Sequence, residues 1–297
     1  MIFGKVDDPG KVDFTLPPDH PQTKEILKRY KSSGKSFEVY VGCAKWNKKD
    51  LKGFYPKGVK DELAYYATQF NSIEMNSTFY NMPNAAQVEV WASKTPESFR
   101  FFPKITNSIS HFSRLKEVGQ ATQVYCDAIS HFGERLGAVF LQLHDKFSPK
   151  EWPKLEQFLR EFPAVIPLAV EVRHEDWFKS GEASEALTHL LEELGQANIL
   201  VDTAGRRDML HMRLTNEVAF IRYVGANHPK DYERLDEWVE RIKTWKEQGL
   251  QKLYFFVHQN VEVESPLLSA HFIKHLNKAL TLDVSVPQLV DNKGLFD

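Results

Sequence analysis

The sequence predicts an α/β fold, a single-domain TIM-type (β/α)8 barrel with an N-terminal extension. Two observations carry that prediction. Short apolar runs of strand length alternate with amphipathic stretches of helical length, as a parallel sheet with crossover helices requires. Run after run then ends in a polar or charged residue: IPLAVEVRHEDW in Glu171, Arg173, His174 and Trp177, SIEMN in Glu74 and Asn76, NILVD in Asp202 and LYFFVH in His258, while FRFFPKI carries Lys104, AVFLQL Gln142 and AFIRYV Arg222. Buried parallel strands read as apolar runs, and a barrel gathers its reactive groups at the carboxyl ends of its strands.

Residues 1–36 are polar, with a PPDHP turn and a short basic helical stretch, TKEILKRYK, and are expected to lie outside the main fold. The barrel domain is expected over 37–282 and a C-terminal tail over 283–297. Strands are expected near 38–43, 71–76, 99–105, 137–143, 166–173, 197–202, 218–224 and 252–258. Between them, Val59, Leu63, Tyr66 and Phe70 share one helical face, and Asn84 can cap a helix that buries Val88 and Trp91. Ser148-Pro149 offers a cap and a first-turn proline ahead of Trp152, Leu155, Phe158, Leu159 and Phe162. Asp231 is the expected cap, and Gly249 the stop, of a helix with Leu235, Trp238, Val239, Ile242 and Trp245 on its apolar face. Ser265-Pro266 opens the last helix. The link AGRRDMLHMRLT reads as a loop with at most one helical turn.

An open doubly wound sheet is the competing fold. Side-chain parity favours closure: Ala169 shares a face with Glu171 and Arg173, Phe140 with Gln142, Leu200 with Asp202 and Phe220 with Arg222. Alternate residues of a barrel strand point inward, so these polar groups would form the top layer of the interior.

Of the 297 residues 42% are hydrophobic, enough for a large core. A formal charge of −2 gives no electrostatic footprint for nucleic acid or an acidic membrane surface, so neither is an expected partner. Cys43 and Cys126 are too few for a disulfide framework and too far apart for a zinc-type CxxC pair. No apolar run approaches the roughly 18 to 20 residues of a membrane span, and MIFGKVDDPG lacks a signal-peptide pattern, so the expected compartment is the cytoplasm. The chain has no GxGxxG, Walker or GxSxG motif, and no cofactor is expected.

The segments VGCAKWNKKDLKGFYPKG, FNSIEMNSTFYNMP, FRFFPKITNSISH, AVFLQL, LAVEVRHEDWF and ILVDT resemble, in order and spacing, the motifs of the YecE-like proteins, the domain of unknown function 72 (DUF72) family. The resemblance covers about residues 38–262 and implies a TIM barrel without implying an activity. Two motifs depart from the family pattern. Ala44-Lys45-Trp46 stands where members have a Gly-Trp pair, and His258-Gln259-Asn260 where they carry adjacent asparagines.

The strand-end residues suggest an enzyme acting on a small polar or anionic substrate, sugar- or phosphate-like, at the barrel mouth. Glu74, Glu171 and Asp202 are the candidate acid–base carboxylates of a hydrolase or lyase. Lys104, Arg173 and Arg222 would anchor an anion. Asn76, His111, Gln142, His174 and His258 would add polar contacts, and Trp46, Tyr80 and Trp177 aromatic walls. The plainer reading is structural, with Glu171 holding Arg173 or Lys104 in a buried ion-pair layer, the aromatics in the core and Cys43 a small buried thiol. Two functional alternatives are a non-catalytic small-molecule binder and a metal-dependent nuclease or phosphohydrolase. In the latter a divalent metal would sit among His111, His144, His174 or His258 and Glu74 or Asp202. HEDWF lacks the second histidine of a zincin helix, because position 178 is Phe.

Overall fold

Side-chain caps start three of the helices in the computed structural model, which describes residues 4–289 except 33, 35 and 180. In chain order the elements are α1 (Pro21–Lys28), β1 (Glu38–Cys43), α2 (Glu62–Gln69), β2 (Ser72–Met75), α3 (Ser77–Tyr80), α4 (Ala85–Ser93), β3 (Arg100–Pro103), α5 (Gly119–Ser130), β4 (Val139–Gln142), α6 (Trp152–Glu161), β5 (Leu168–Glu171), α7 (Glu182–Leu194), β6 (Ala197–Asp202), β7 (Val218–Gly225), α8 (Lys230–Gln248), β8 (Lys252–Gln259) and α9 (Ser265–Leu280). Asp61 caps α2 through the Ala64 N–H, and Asn84 caps α4 through that of Gln87 at 2.9 Å. Asp231 is not the cap of α8, which begins one residue earlier, at Lys230. Its carboxylate instead reaches back to the N–H groups of Ala226 and His228 and ties down the loop that enters the helix.

The fold is α/β, built on a six-strand parallel half-barrel sheet in the order β1-β8-β7-β6-β5-β4, with β2 and β3 as a separate parallel pair. The expected unbroken eight-strand ladder is therefore interrupted twice. Between β1 and β2 the missing backbone rungs are replaced by one side chain: the Asn71 amide donates to the Val39 carbonyl at 2.8 Å and accepts from the Val41 N–H at 3.0 Å. At Gly42 a Cβ would collide with the Ser72 carbonyl, so glycine is what lets these two strands approach. Between β3 and β4, isolated bridges pair Phe101 with Leu136 and Lys104 with Phe140.

Two large hydrophobic clusters join strands to helices. A third, which includes Phe102, Phe140, Ala169, Ile199, Val201, Phe220, Tyr254 and Phe256, contains no α-helix residue and marks the inner face of the strands. The N-terminal stretch is folded onto the body, not set apart from it. Ile26 and Leu27 of α1 are buried, Thr23 exchanges hydrogen bonds with the Met212 carbonyl and Leu214 N–H, and Asp19 pairs with Arg241 and the Trp245 indole. The tail from 290 onward lies outside the described residues. Among the described residues no helix is long and apolar enough to cross a membrane.

Candidate functional site

Five inward rows of the strands end in a polar residue two positions on: Phe102 is followed by Lys104, Phe140 by Gln142, Ala169 by Glu171, Phe220 by Arg222 and Phe256 by His258. The period-two geometry of a strand puts these groups on the same inner face, at the carboxyl end. Glu74 of β2 joins them, and the result is one hydrogen-bonded cluster.

Arg222 lies at its centre. Nε and Nη2 form a fork onto the two oxygens of Glu74, both at 2.8 Å, while Nη1 donates to Glu171. Glu74 also accepts from Asn76 at 2.8 Å and contacts His258 Nε2 at 2.9 Å. Glu171 takes a second charged bond, 2.6 Å, from Arg173 Nε. Gln142 Oε1 receives Lys104 at 3.0 Å, Arg173 at 2.8 Å and Arg222 at 3.3 Å, so one neutral oxygen faces three cations. The Lys104 ammonium also sits 3.9 Å over the Phe79 ring.

Burial alone would raise both glutamates, but Arg222 and His258 hold Glu74 well below the usual carboxylate range, and Arg222 and Arg173 hold Glu171 down to about 2. Lys104 moves the other way. Burial, reinforced by Arg222 and Arg173, pushes its amine down to about 7. Both glutamates are thus held toward the charged form by the cations around them. Arg222 directs its donors to Glu74, Glu171 and Gln142 and so ties three strands of the cluster together.

Several residues named from the sequence lie elsewhere. Asp202 faces outward, against expectation: Ile199 and Val201, not Leu200, point inside, because β6 takes the opposite phase beside its neighbours. Its carboxylate pairs with Arg207, with Arg234 of α8 at 2.7 Å and with the Trp238 indole at 2.8 Å. Trp177 is a core residue, 2% exposed, with its indole N–H on the Phe147 carbonyl at 2.8 Å. His174 caps the short turn at Glu175–Trp177 by accepting the Asp176 N–H. Tyr80 is 69% exposed and packs edge-on against Phe79. Trp46 is partly buried against the strand–helix core, its carbonyl taken by Tyr55. His111 does approach the cluster, stacked edge-on against Phe79 with centroids 4.7 Å apart, and burial plus the Lys104 charge push it down to about 4. Its ring is 5.3 Å from that of His144. Cys43 is buried beside Ser269, with its thiol pushed up by burial.

Two residues escaped the sequence reading. Phe79, not its neighbour Tyr80, meets the cluster, and nothing in STFY tells which aromatic the short α3 turns inward. Glu262, in the turn after β8, is a carboxyl that burial pushes up, and the charge of His258 partly offsets this. Its signal was only its place after a strand end.

The chain is 28% identical over 280 residues to the UPF0759 protein YecE of Escherichia coli K12, across 87% of this chain and all of that protein. To the UPF0759 protein YunF of Bacillus subtilis it is 25% identical over 165 residues, 52% of this chain and 57% of that one. Among solved structures, a DUF72 family protein of Enterococcus faecalis, EF0366, superposes with a TM-score of 0.65 at 17% identity over 83% of this chain and 99% of that one. A DUF72 family protein of Thermotoga maritima, TM1631, gives 0.62 at 22% identity over 81% and 99%. These likenesses concern the fold. The family described as "Protein of unknown function DUF72" matches residues 40–289, a span that takes in β2 to β8 and every residue of the cluster around Arg222, and the chain belongs to that family.

Proposed function

We propose that this chain is an enzyme acting on a small anionic carbonyl compound at the carboxyl end of its strands, with Lys104 as the reacting group. Its eight strands would work as one closed (β/α)8 barrel, a reading supported by the hydrogen bonds across both interruptions of the ladder. The observation that carries the function is the state of Lys104. Its amine is buried, pushed down to about 7 and bonded to a neutral amide oxygen, and among the described residues it forms no ion pair with a carboxylate. A desolvated lysine beside other cations is partly the free amine at neutral pH and is a nucleophile toward carbonyls.

In the proposed step the amine lone pair of Lys104 attacks the carbonyl carbon and a C–N bond forms. The nitrogen gives up its two protons, the carbonyl oxygen departs as water, and an imine remains. Arg173 and His258, at the same end, would favour a substrate bearing a carboxylate or phosphate. Glu74 and Glu171 would keep Arg222 and Arg173 in place. Borohydride reduction in the presence of pyruvate or dihydroxyacetone phosphate tests the step: the expected result is a mass increase mapped to Lys104 and lost in Lys104→Met. Equal labelling of both proteins, or labelling at surface lysines alone, would refute it.

A second reading, a non-catalytic binder of small anions, is favoured by the commitment of both glutamates to arginines. Calorimetric binding of the same compounds without imine trapping would select it. For the metal-dependent nuclease reading, no three His, Cys or carboxylate donors converge at this end among the described residues.

A further inference from the structure

The helix layer holds a second polar group that shares no residue with the Arg222 cluster. His271 and His275 are four residues apart on α9 and so occupy one helix face, with ring centroids 4.0 Å apart. Asp236 of α8 points between them. Its Oδ1 is 2.8 Å from His271 Nε2 and 2.7 Å from His275 Nδ1. The three donor atoms all lie within 4.8 Å of one another, and among the described residues no other trio of His, Cys or carboxylate groups does so.

We infer that Asp236, His271 and His275 form a binding site for a divalent transition-metal cation of the zinc class. Two imidazoles and one carboxylate are a donor set suited to such ions and poor for magnesium or calcium, which take oxygen ligands. Tetrahedral zinc with bonds of about 2.0 to 2.1 Å holds its ligand atoms about 3.3 Å apart. The present 2.7 and 2.8 Å spacings therefore need to open by about half an ångström, a small movement for partly exposed side chains. Each ring must present a lone pair at the contacting nitrogen, which places its proton on His271 Nδ1 and His275 Nε2. The ring of Tyr232 lies edge-on to His271 at 5.0 Å and limits its rotation. A groove of about 510 Å³, lined by Asp236 and His275 together with Val239, Glu240, Lys243 and Lys278, gives a cation a way in and leaves room for water at the remaining coordination position. Three protein ligands with one open position distinguish such a site from the closed four-ligand sites that serve structure alone.

Calorimetric titration of the chelator-treated full chain with zinc chloride tests the inference. One zinc per chain is expected, with no comparable uptake of magnesium or calcium. His271→Ala and His275→Ala should each weaken binding by at least about tenfold, since loss of even an outer-shell partner of a metal ligand costs that much. Asp236→Asn should weaken it similarly, and its half-exposed position keeps the fold out of the comparison. His189→Ala, at an exposed histidine of α7, should bind like the native chain. The same five proteins titrated with cobalt(II) should show the visible absorption of a low-coordinate ion in the native and His189→Ala chains only. The inference fails if the native chain takes up no zinc, or if a His271→Ala/His275→Ala double variant keeps the same stoichiometry and affinity.

Discussion

Arg222 binds two buried carboxylates, and Arg173 supplies the second cation that balances them. Removing one member of such a set strands a charge, so Glu171→Ala is expected to lose about 3 to 5 kcal/mol in urea unfolding. The pH dependence has a defined sign. The folded value of Glu171, about 2, lies below its ordinary 4.5, so its contribution is complete above 4.5 and is lost as pH falls towards 2. The stability gap between the native chain and Glu171→Gln should therefore shrink across that interval, which melts over a pH series will read. Lys104 behaves oppositely. Its folded value of about 7 lies below its ordinary 10.5, so folding must either bury the charged amine, below about 7, or discharge it, between about 7 and 10.5. That cost is full below about 7 and fades as pH rises towards 10.5. Lys104→Met should accordingly stabilise the protein near neutrality by about 0.5 to 2 kcal/mol, as removal of a strained functional group often does, and the gain should diminish at alkaline pH.

Among the elements, the interruption between β1 and β2 is the most informative. Asn71 stands in for the backbone there and satisfies one carbonyl and one N–H that would otherwise be left without partners. Asn71→Ala is expected to cost about 2 to 4 kcal/mol, the sum of two unmet backbone groups. Amide exchange at Val41 should accelerate more than at Phe255, its register partner on β8. An effect spread evenly over the sheet would mean that the amide bridge is not what joins the strands. At β6 the inward residues are the odd ones, which sends Asp202 to the helix side, where it joins Arg207, Arg234 and Trp238 and fastens α8 to the end of its strand.

For the whole molecule, the N-terminal stretch behaves as part of the body. Leu27 is fully buried against the α8 side of the core although it precedes the family-matched span, and the Asp19 contacts with Arg241 and Trp245 fasten the same layer. Leu27→Ala should thus lower the global unfolding free energy by about 2 to 5 kcal/mol in a single denaturant transition. A change below about 0.5 kcal/mol, the range of surface substitutions, would show that residues before β1 are an appendage.

The alternation of strand-length apolar runs with helical stretches, and the polar residue that closes each run, are local properties, so the chain by itself determined the α/β class, the strand positions and most members of the inner cluster. Lys104, Gln142, Glu171, Arg222 and His258 were legible because each continues an apolar period-two row. The phase of such a row is not local. Whether Leu200 or Val201 points inward depends on the register β6 takes beside its neighbours, and only the assembled sheet placed Asp202 outside. Partner choice is likewise decided in three dimensions: Arg222 and Glu74 are 148 residues apart, and no spacing rule distinguishes that pair from Arg222 with Asp202. The lowered amine of Lys104 follows from the same cause. Its value is set by how much water the packed strand ends exclude and how near two arginines come, and both are properties of the packed structure.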